Sequence, residues 1–194
     1  MKPEEFLEIL GTAGKLKTTM RHCYTEKDRR ESVADHSWRI ALMAMLLSGE
    51  EEFRQTDMDK VIRMCLIHDL GEAFTGDIPV FRKTDQDTGT EDELFHRWVG
   101  SFPDTQREEW TALLSEMEEQ KTPEARLYKA LDKLEALIAH DESDISTWLP
   151  LEYDLQLVYG RENMKFSPFL MSVRALVDGW TEQKIAEAGG KEKA

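Results

Sequence analysis

At 194 residues with 40% hydrophobic content, the chain suits a single domain with a core large enough to fold alone. Twenty-five Lys and Arg stand against 39 Asp and Glu, a formal net charge of −14 whose field repels polyanions, so neither nucleic acid nor an acidic membrane surface is an expected partner. Only Cys23 and Cys65 occur, in unlike contexts, which argues for free thiols in a reducing compartment; MKPEEFLEIL does not read as a signal peptide, and with no apolar run of membrane-spanning length a cytoplasmic protein is expected.

Pro3 followed by Phe6, Leu7 and Leu10 at helical spacing predicts a short amphipathic helix ended by Gly11 or Gly14. From Lys15 to Arg30, KLKTTMRHCYTEKDRR has no clean period and reads as an irregular connector. It carries six Lys or Arg against two acids, a local +4 in an acidic protein. Ser32 with Asp35 forms a capping-box pattern for a helix running to about Ser48, apolar nearly all the way round and therefore central. It carries His36 on a stripe with Ile40 and Met43. Thr56 and Asp59 open a second apolar helix, read as carrying His68, Asp69 and, one turn beyond His68, Glu72, before the turn Thr75-Gly76-Asp77-Ile78-Pro79.

The polar stretch after Pro79 reads as a loop, with Thr90 and Glu93 opening the next helix and Pro103 separating it from another. Thr122-Pro123-Glu124 is a strong start for EARLYKALDKLEALIAH, which places Asp132 among Leu127, Leu131, Leu134 and Ile138. Trp148-Leu149-Pro150 breaks the pattern, a short helical piece ends near Gly160, and Ser167-Pro168 starts a final helix. No internal repeat, low-complexity tract or alternation of period two is found, so the fold class is all-α. Residues 1–187 are expected to form one domain and 188–194 a flexible tail.

Imidazoles and carboxylates inside apolar helices call for something to bind. His36, His68, Asp69 and a later aspartate, Asp132, Asp141 or Asp144, make a mixed nitrogen and oxygen set suited to a divalent transition metal. Adjacent residues on a helix project about 100° apart, so His68 and Asp69 can grip one ion from two sides. Four protein ligands on a six-coordinate ion leave two open positions, one for a water made more acidic and one for a substrate oxygen.

ESVADHSWR, LIHDLGEAFTGDIP and KALDKLEAL resemble the ligand-bearing helices of HD-domain phosphohydrolases, in particular the 5′-deoxynucleotidase branch, over roughly residues 15 to 140. The resemblance implies an HD-domain helical bundle in which His36, His68, Asp69 and Asp132 hold one divalent ion (Mn, Co, Fe, Ni, Zn or Mg). It implies that Glu72 positions or activates the attacking water, that Arg21 holds the phosphate, and that Asp77 contacts the nucleotide near its ribose and leaving oxygen, as a second catalytic and binding group. The substrate implied is a small nucleoside 5′-monophosphate, and proteins of this type and size resemble homodimers. The chain departs from that branch at His22, where Trp often follows the phosphate-binding Arg, which removes the basis for expecting a 2′-deoxyribose preference. His96 and His140 sit beside charged residues and are read as surface groups.

Three other readings are weighed. A phosphodiesterase or pyrophosphohydrolase of a signalling nucleotide is the nearest, although the GYP signature of the cyclic-dinucleotide branch is absent. An HD-fold iron oxygenase would need further His ligands between Asp69 and Asp132, where only His96 lies. A purely structural ion is the third.

Overall fold

The Ser32 hydroxyl accepts the Asp35 N–H at 3.1 Å while the Asp35 carboxylate accepts the Ser32 N–H at 3.0 Å. This reciprocal cap opens α2 (Val33–Leu47), as the sequence spacing predicts. The computed structural model describes residues 1–191. In it α2 packs along α3 (Met58–Ile67) and α7 (Pro123–Glu142), and these three helices form the centre of the molecule. Val33, Ile40 and Ala44 of α2, Val61, Met64 and Cys65 of α3, and Leu127, Leu131 and Leu134 of α7 are buried between them. Asp57 rather than Thr56 caps α3, accepting the Lys60 N–H at 3.1 Å, and Thr122 caps α7 by accepting the Ala125 N–H at 3.1 Å.

Around this core lie α1 (Pro3–Ala13), the short α4 (Glu72–Thr75), α5 (Asp85–Gly100), α6 (Asp104–Glu119), α8 (Glu152–Val158), α9 (Arg161–Met164) and α10 (Pro168–Lys191). An aromatic cluster ties α4, α5 and α6 together: Trp98 meets Phe102 edge-on at 4.8 Å and Phe102 meets Trp110 at 5.2 Å. Arg174 of α10 is fully buried. Its Nη2 donates to the Gln156 carbonyl at 2.8 Å, its Nη1 to the Tyr159 carbonyl, and its Nε to Asp178 at 2.6 Å, so one guanidinium satisfies the end of α8 and fixes it to α10.

The all-α expectation holds except in the basic connector. Residues Met20–Glu26 form β1 and Arg29–Ser32 form β2, an antiparallel hairpin. Register shifts between Met20 and Tyr24 and between Tyr24 and Glu26 break the alternation that would have announced a strand. The hairpin packs on α7: Ser143 Oγ accepts the Tyr24 N–H at 2.8 Å. Two further boundaries differ. Thr84, with Asp87, caps α5 six residues before the expected Thr90, so the polar stretch after Pro79 is largely helical. The second apolar helix stops at Ile67, and residues 68–71 run as tight turns into α4, with Leu70 N–H bonded to Ile67 C=O and Glu72 N–H to Asp69 C=O, both at 3.0 Å. The tail expected at 188–194 overlaps α10 through Lys191, and its remainder, 192–194, lies outside the described residues.

Candidate metal centre and active site

Three elements converge on one point. His36 comes from the first turn of α2, His68 and Asp69 from the turn that ends α3, and Asp132 from the middle of α7. His36 Nε2 lies 3.3 Å from Asp132 Oδ1 and 3.8 Å from Asp69 Oδ2. His68 Nε2 lies 3.0 Å from Asp69 Oδ2 and 3.9 Å from Asp132 Oδ1, and the two imidazole rings are 5.2 Å apart. Gly71, in the turn that presents Asp69 and Glu72, packs so closely that a Cβ there would stand 2.7 Å from Glu91 Cγ and force that side chain to move.

Both imidazoles are oriented to offer Nε2. His68 Nδ1 donates to the Cys65 carbonyl at 2.9 Å, and His36 Nδ1 is bonded to the fully buried carboxylate of Glu135. Neither Nε2 makes a hydrogen bond, although both are buried. Two inward-facing nitrogen lone pairs beside two carboxylate oxygens, with separations of 3.0–3.9 Å between the ~3 Å edge and the ~4.2 Å diagonal of an octahedron with bonds of about 2.1 Å, fit a divalent cation. The residues present therefore match the metal implied by the sequence. Of the alternative carboxylates, Asp141 turns away to accept the Thr181 hydroxyl at 2.8 Å, and Asp144 caps the turn at 145–147.

The surrounding charges are strongly coupled. Burial disfavours the charge on Asp69, yet His68 and His36 hold its carboxyl well below the usual carboxylate range. Asp132 is likewise held well below, against burial, by Lys129 and Lys133, whose Nζ atoms lie 3.0 and 3.3 Å from Oδ2. For His36, burial and Arg21 push down, while Glu135 and Asp132 prevail and raise its pKa to about 9, so a proton and a cation compete for the same lone pair. Burial, reinforced by Asp69 and Asp77, pushes Glu72 up to about 10, and burial raises Asp77 as well.

This cluster opens into a cavity of about 210 Å³ lined by Arg21, His22, Asp69, Glu72, Asp77, Lys83, Lys129, Asp132 and Lys133 among others. Arg21 Nη1 is bonded to Glu31 at 2.6 Å and Glu135 at 3.2 Å, which links it through Glu135 to His36. Arg21, Glu72 and Asp77 thus share one cavity with Asp69 and Asp132. Sequence reasoning missed the supporting groups: Glu135 sits three residues after Asp132 and Lys129 three before it, on the same helix face, which is the signal that could have found them. His140, read as a surface group, is buried, because its ring packs on Trp148 at 4.1 Å and faces Glu152. His96 is part-exposed on α5 and pairs with Glu118 of α6, so no histidine between Asp69 and Asp132 joins the metal set.

An HD-domain family model matches residues 13–174. The human protein 5′-deoxynucleotidase HDDC2 is 31% identical over 140 residues, covering 70% of this chain and 67% of its own length. Its namesake in Dictyostelium discoideum is 33% identical over 146 residues, covering 69% and 74%. A crystal structure from Magnetospirillum magnetotacticum MS-1, titled a "Predicted metal-dependent phosphohydrolase", superposes with a TM-score of 0.76 at 29% identity, covering 95% of this chain and 96% of that one. With the sequence match spanning the hairpin and every ligand-bearing helix, the chain belongs to the HD-domain family of metal-dependent phosphohydrolases.

Proposed function

We propose that the protein is a 5′-nucleotidase that releases phosphate from nucleoside or deoxynucleoside 5′-monophosphates. The observation that carries this reading is the convergence of His36, His68, Asp69 and Asp132 beside a cavity that Asp69 and Asp132 line together with Arg21, Lys83, Lys129 and Lys133. A phosphomonoester carries about −1.5 to −2 charges near neutral pH, and a protein of net charge −14 can hold it only where cations are concentrated. The name 5′-deoxynucleotidase, carried by the HDDC2 relatives, agrees with this substrate class.

His36, His68, Asp69 and Asp132 would hold one divalent cation, which when bound supplies a more acidic water and polarises a phosphoryl oxygen. Arg21 grips the phosphate. Glu31 and Glu135 bond its Nη1, which leaves the other nitrogens of this cavity-lining guanidinium for paired contact with phosphate oxygens. Glu72, whose buried Oε2 makes no hydrogen bond, would accept the proton of the attacking water in its ionised form, which a cation held by the neighbouring ligands favours over the neutral form that burial and Asp69 favour without one. Asp77, whose protonated form burial favours, returns a proton to the departing 5′ oxygen. Lys129 and Lys133 fix Asp132 and add positive charge where phosphate enters.

The test is phosphate release from a panel of ribo- and deoxyribonucleoside 5′-monophosphates with added Mn²⁺ or Co²⁺, beside cyclic dinucleotides and nucleoside polyphosphates. Turnover of the monophosphates is expected. Inactivity on all of them with cleavage of a diester or pyrophosphate would reject the reading.

A further inference from the structure

One part of the cavity wall has no role in this chemistry. It is built by His22 on β1, His140 near the end of α7 and Glu152 at the start of α8. Their donor atoms converge: Glu152 Oε1 lies 3.2 Å from His22 Nε2 and 3.3 Å from His140 Nε2, and the three donors fall within 4.8 Å of one another. Glu152 is 4% exposed and held by the Leu149 N–H, which its Oε2 accepts at 2.6 Å; Oε1 lies within reach of both imidazoles, and His22 Nε2 stands 3.2 Å from Oε2 as well. His140 is only 7% exposed, is clamped against Trp148, and has no hydrogen bond at either ring nitrogen.

Hydrogen bonding accounts for the His22–Glu152 contact alone: His140 Nε2, although 3.3 Å from Glu152 Oε1, makes no hydrogen bond to it. The spacing instead matches a tetrahedral ion, whose donors stand about 3.3–3.4 Å apart when the bonds are about 2.0–2.1 Å. Two imidazoles and a carboxylate with a fourth position open to a cavity are a zinc-type ligand set.

We propose that His22, His140 and Glu152 form a second divalent-cation site of zinc type in the cavity wall, its fourth position taking an oxygen donor from the ligand that occupies the cavity. The site shares no residue with His36, His68, Asp69 and Asp132, and it stands independently of the nucleotidase reading. It adds a positive centre next to Arg21, the neighbour of His22 in sequence and on the cavity wall.

The experiment is metal counting on the full chain, saturated with Zn²⁺, freed of excess ion and analysed by elemental mass spectrometry, with Co²⁺ absorption as a second readout. Two equivalents per chain are expected for the wild type. His22→Gln, at a part-exposed strand position that leaves the core intact, and Glu152→Gln should each retain one and lose the visible bands of four-coordinate Co²⁺. Asp69→Asn should also fall to one equivalent but keep those bands. One equivalent in the wild type, or two retained in both His22→Gln and Glu152→Gln, would overturn the proposal, whichever phosphoesters the enzyme cleaves.

Discussion

Replacing Glu135 with glutamine removes a charge that no residue of the metal set carries, yet it should weaken the metal site. Glu135 is fully buried, and although burial opposes its charge, His36, Arg21 and Arg39 hold its pKa down at about 2. Its carboxylate only accepts, and it therefore dictates that His36 Nδ1 carries the proton and Nε2 the lone pair. A glutamine has one accepting end and one donating end. Both bonds fall on one carboxylate oxygen, Oε2, so an amide oxygen placed there keeps them only as a neutral, weaker acceptor and sets NH₂ at the Oε1 position, 3.8 Å from Arg39 Nε. The reverse placement sets NH₂ against both Arg21 and His36 Nδ1 and reverses the His36 tautomer. Losing such an outer partner typically costs 10–100-fold in metal affinity. That is about 1.4–2.7 kcal/mol at 1.36 kcal/mol per decade. Calorimetric titration of Mn²⁺ or Co²⁺ into both proteins measures it, with circular dichroism to establish that the variant is folded. A folded variant whose Kd stays within about twofold of the wild type would show that Glu135 does not set the His36 tautomer.

Glu72→Gln should keep its metal content while kcat falls by about 10²–10⁴-fold, the usual range for a positioned proton acceptor, and parallel loss of metal would place Glu72 among the ligands instead. Asp35→Asn removes half of the α2 cap and should cost about 1 kcal/mol near neutral pH. Slight burial works against the Asp35 charge, but Ser32 and Arg29 hold its pKa below the ordinary value, so its stabilisation is present above the unfolded pKa of about 3.9 and lost as pH falls through the folded one. The gap in melting temperature between wild type and Asp35→Asn should therefore close in acid, and a gap unchanged down to the lowest pH at which both fold would refute the assignment. Gly160→Ala forces a side chain onto φ +66° with its Cβ 2.6 Å from Lys133 Cβ, and thermal melting should drop by about 2–4 °C for each kcal/mol of the 1–2 or more that this strain costs.

The helical framework was legible because its signals are local. The caps at Ser32, Thr122 and Ser167 each act within three residues and appear where their spacing places them. The bringing together of His36, His68, Asp69 and Asp132 was legible for a different reason, since buried imidazoles in apolar runs have few uses. The hairpin was hidden because its register shifts remove the period of two, and α5 began early because Thr84 and Asp87 sit in a run too polar to show helical periodicity. His140 was misread for lack of any local signal. Its neighbours in sequence are acidic, but its burial comes from Trp148 and Glu152 after the chain has reversed direction beyond Ser143.

The Arg174 guanidinium carries a consequence for dissecting this molecule. Among the described residues, none of α10 lines the cavity or belongs to the metal donors. A minimal fragment ending before Pro168 would thus retain every group that the chemistry names. It would also strand the Gln156 and Tyr159 carbonyls that Arg174 caps, beside Gln156, Leu155 and Tyr159 themselves, which wall the cavity. Such a fragment should load an ion and lose substrate discrimination, which separates the part of the fold that holds the cation from the part that chooses what reaches it.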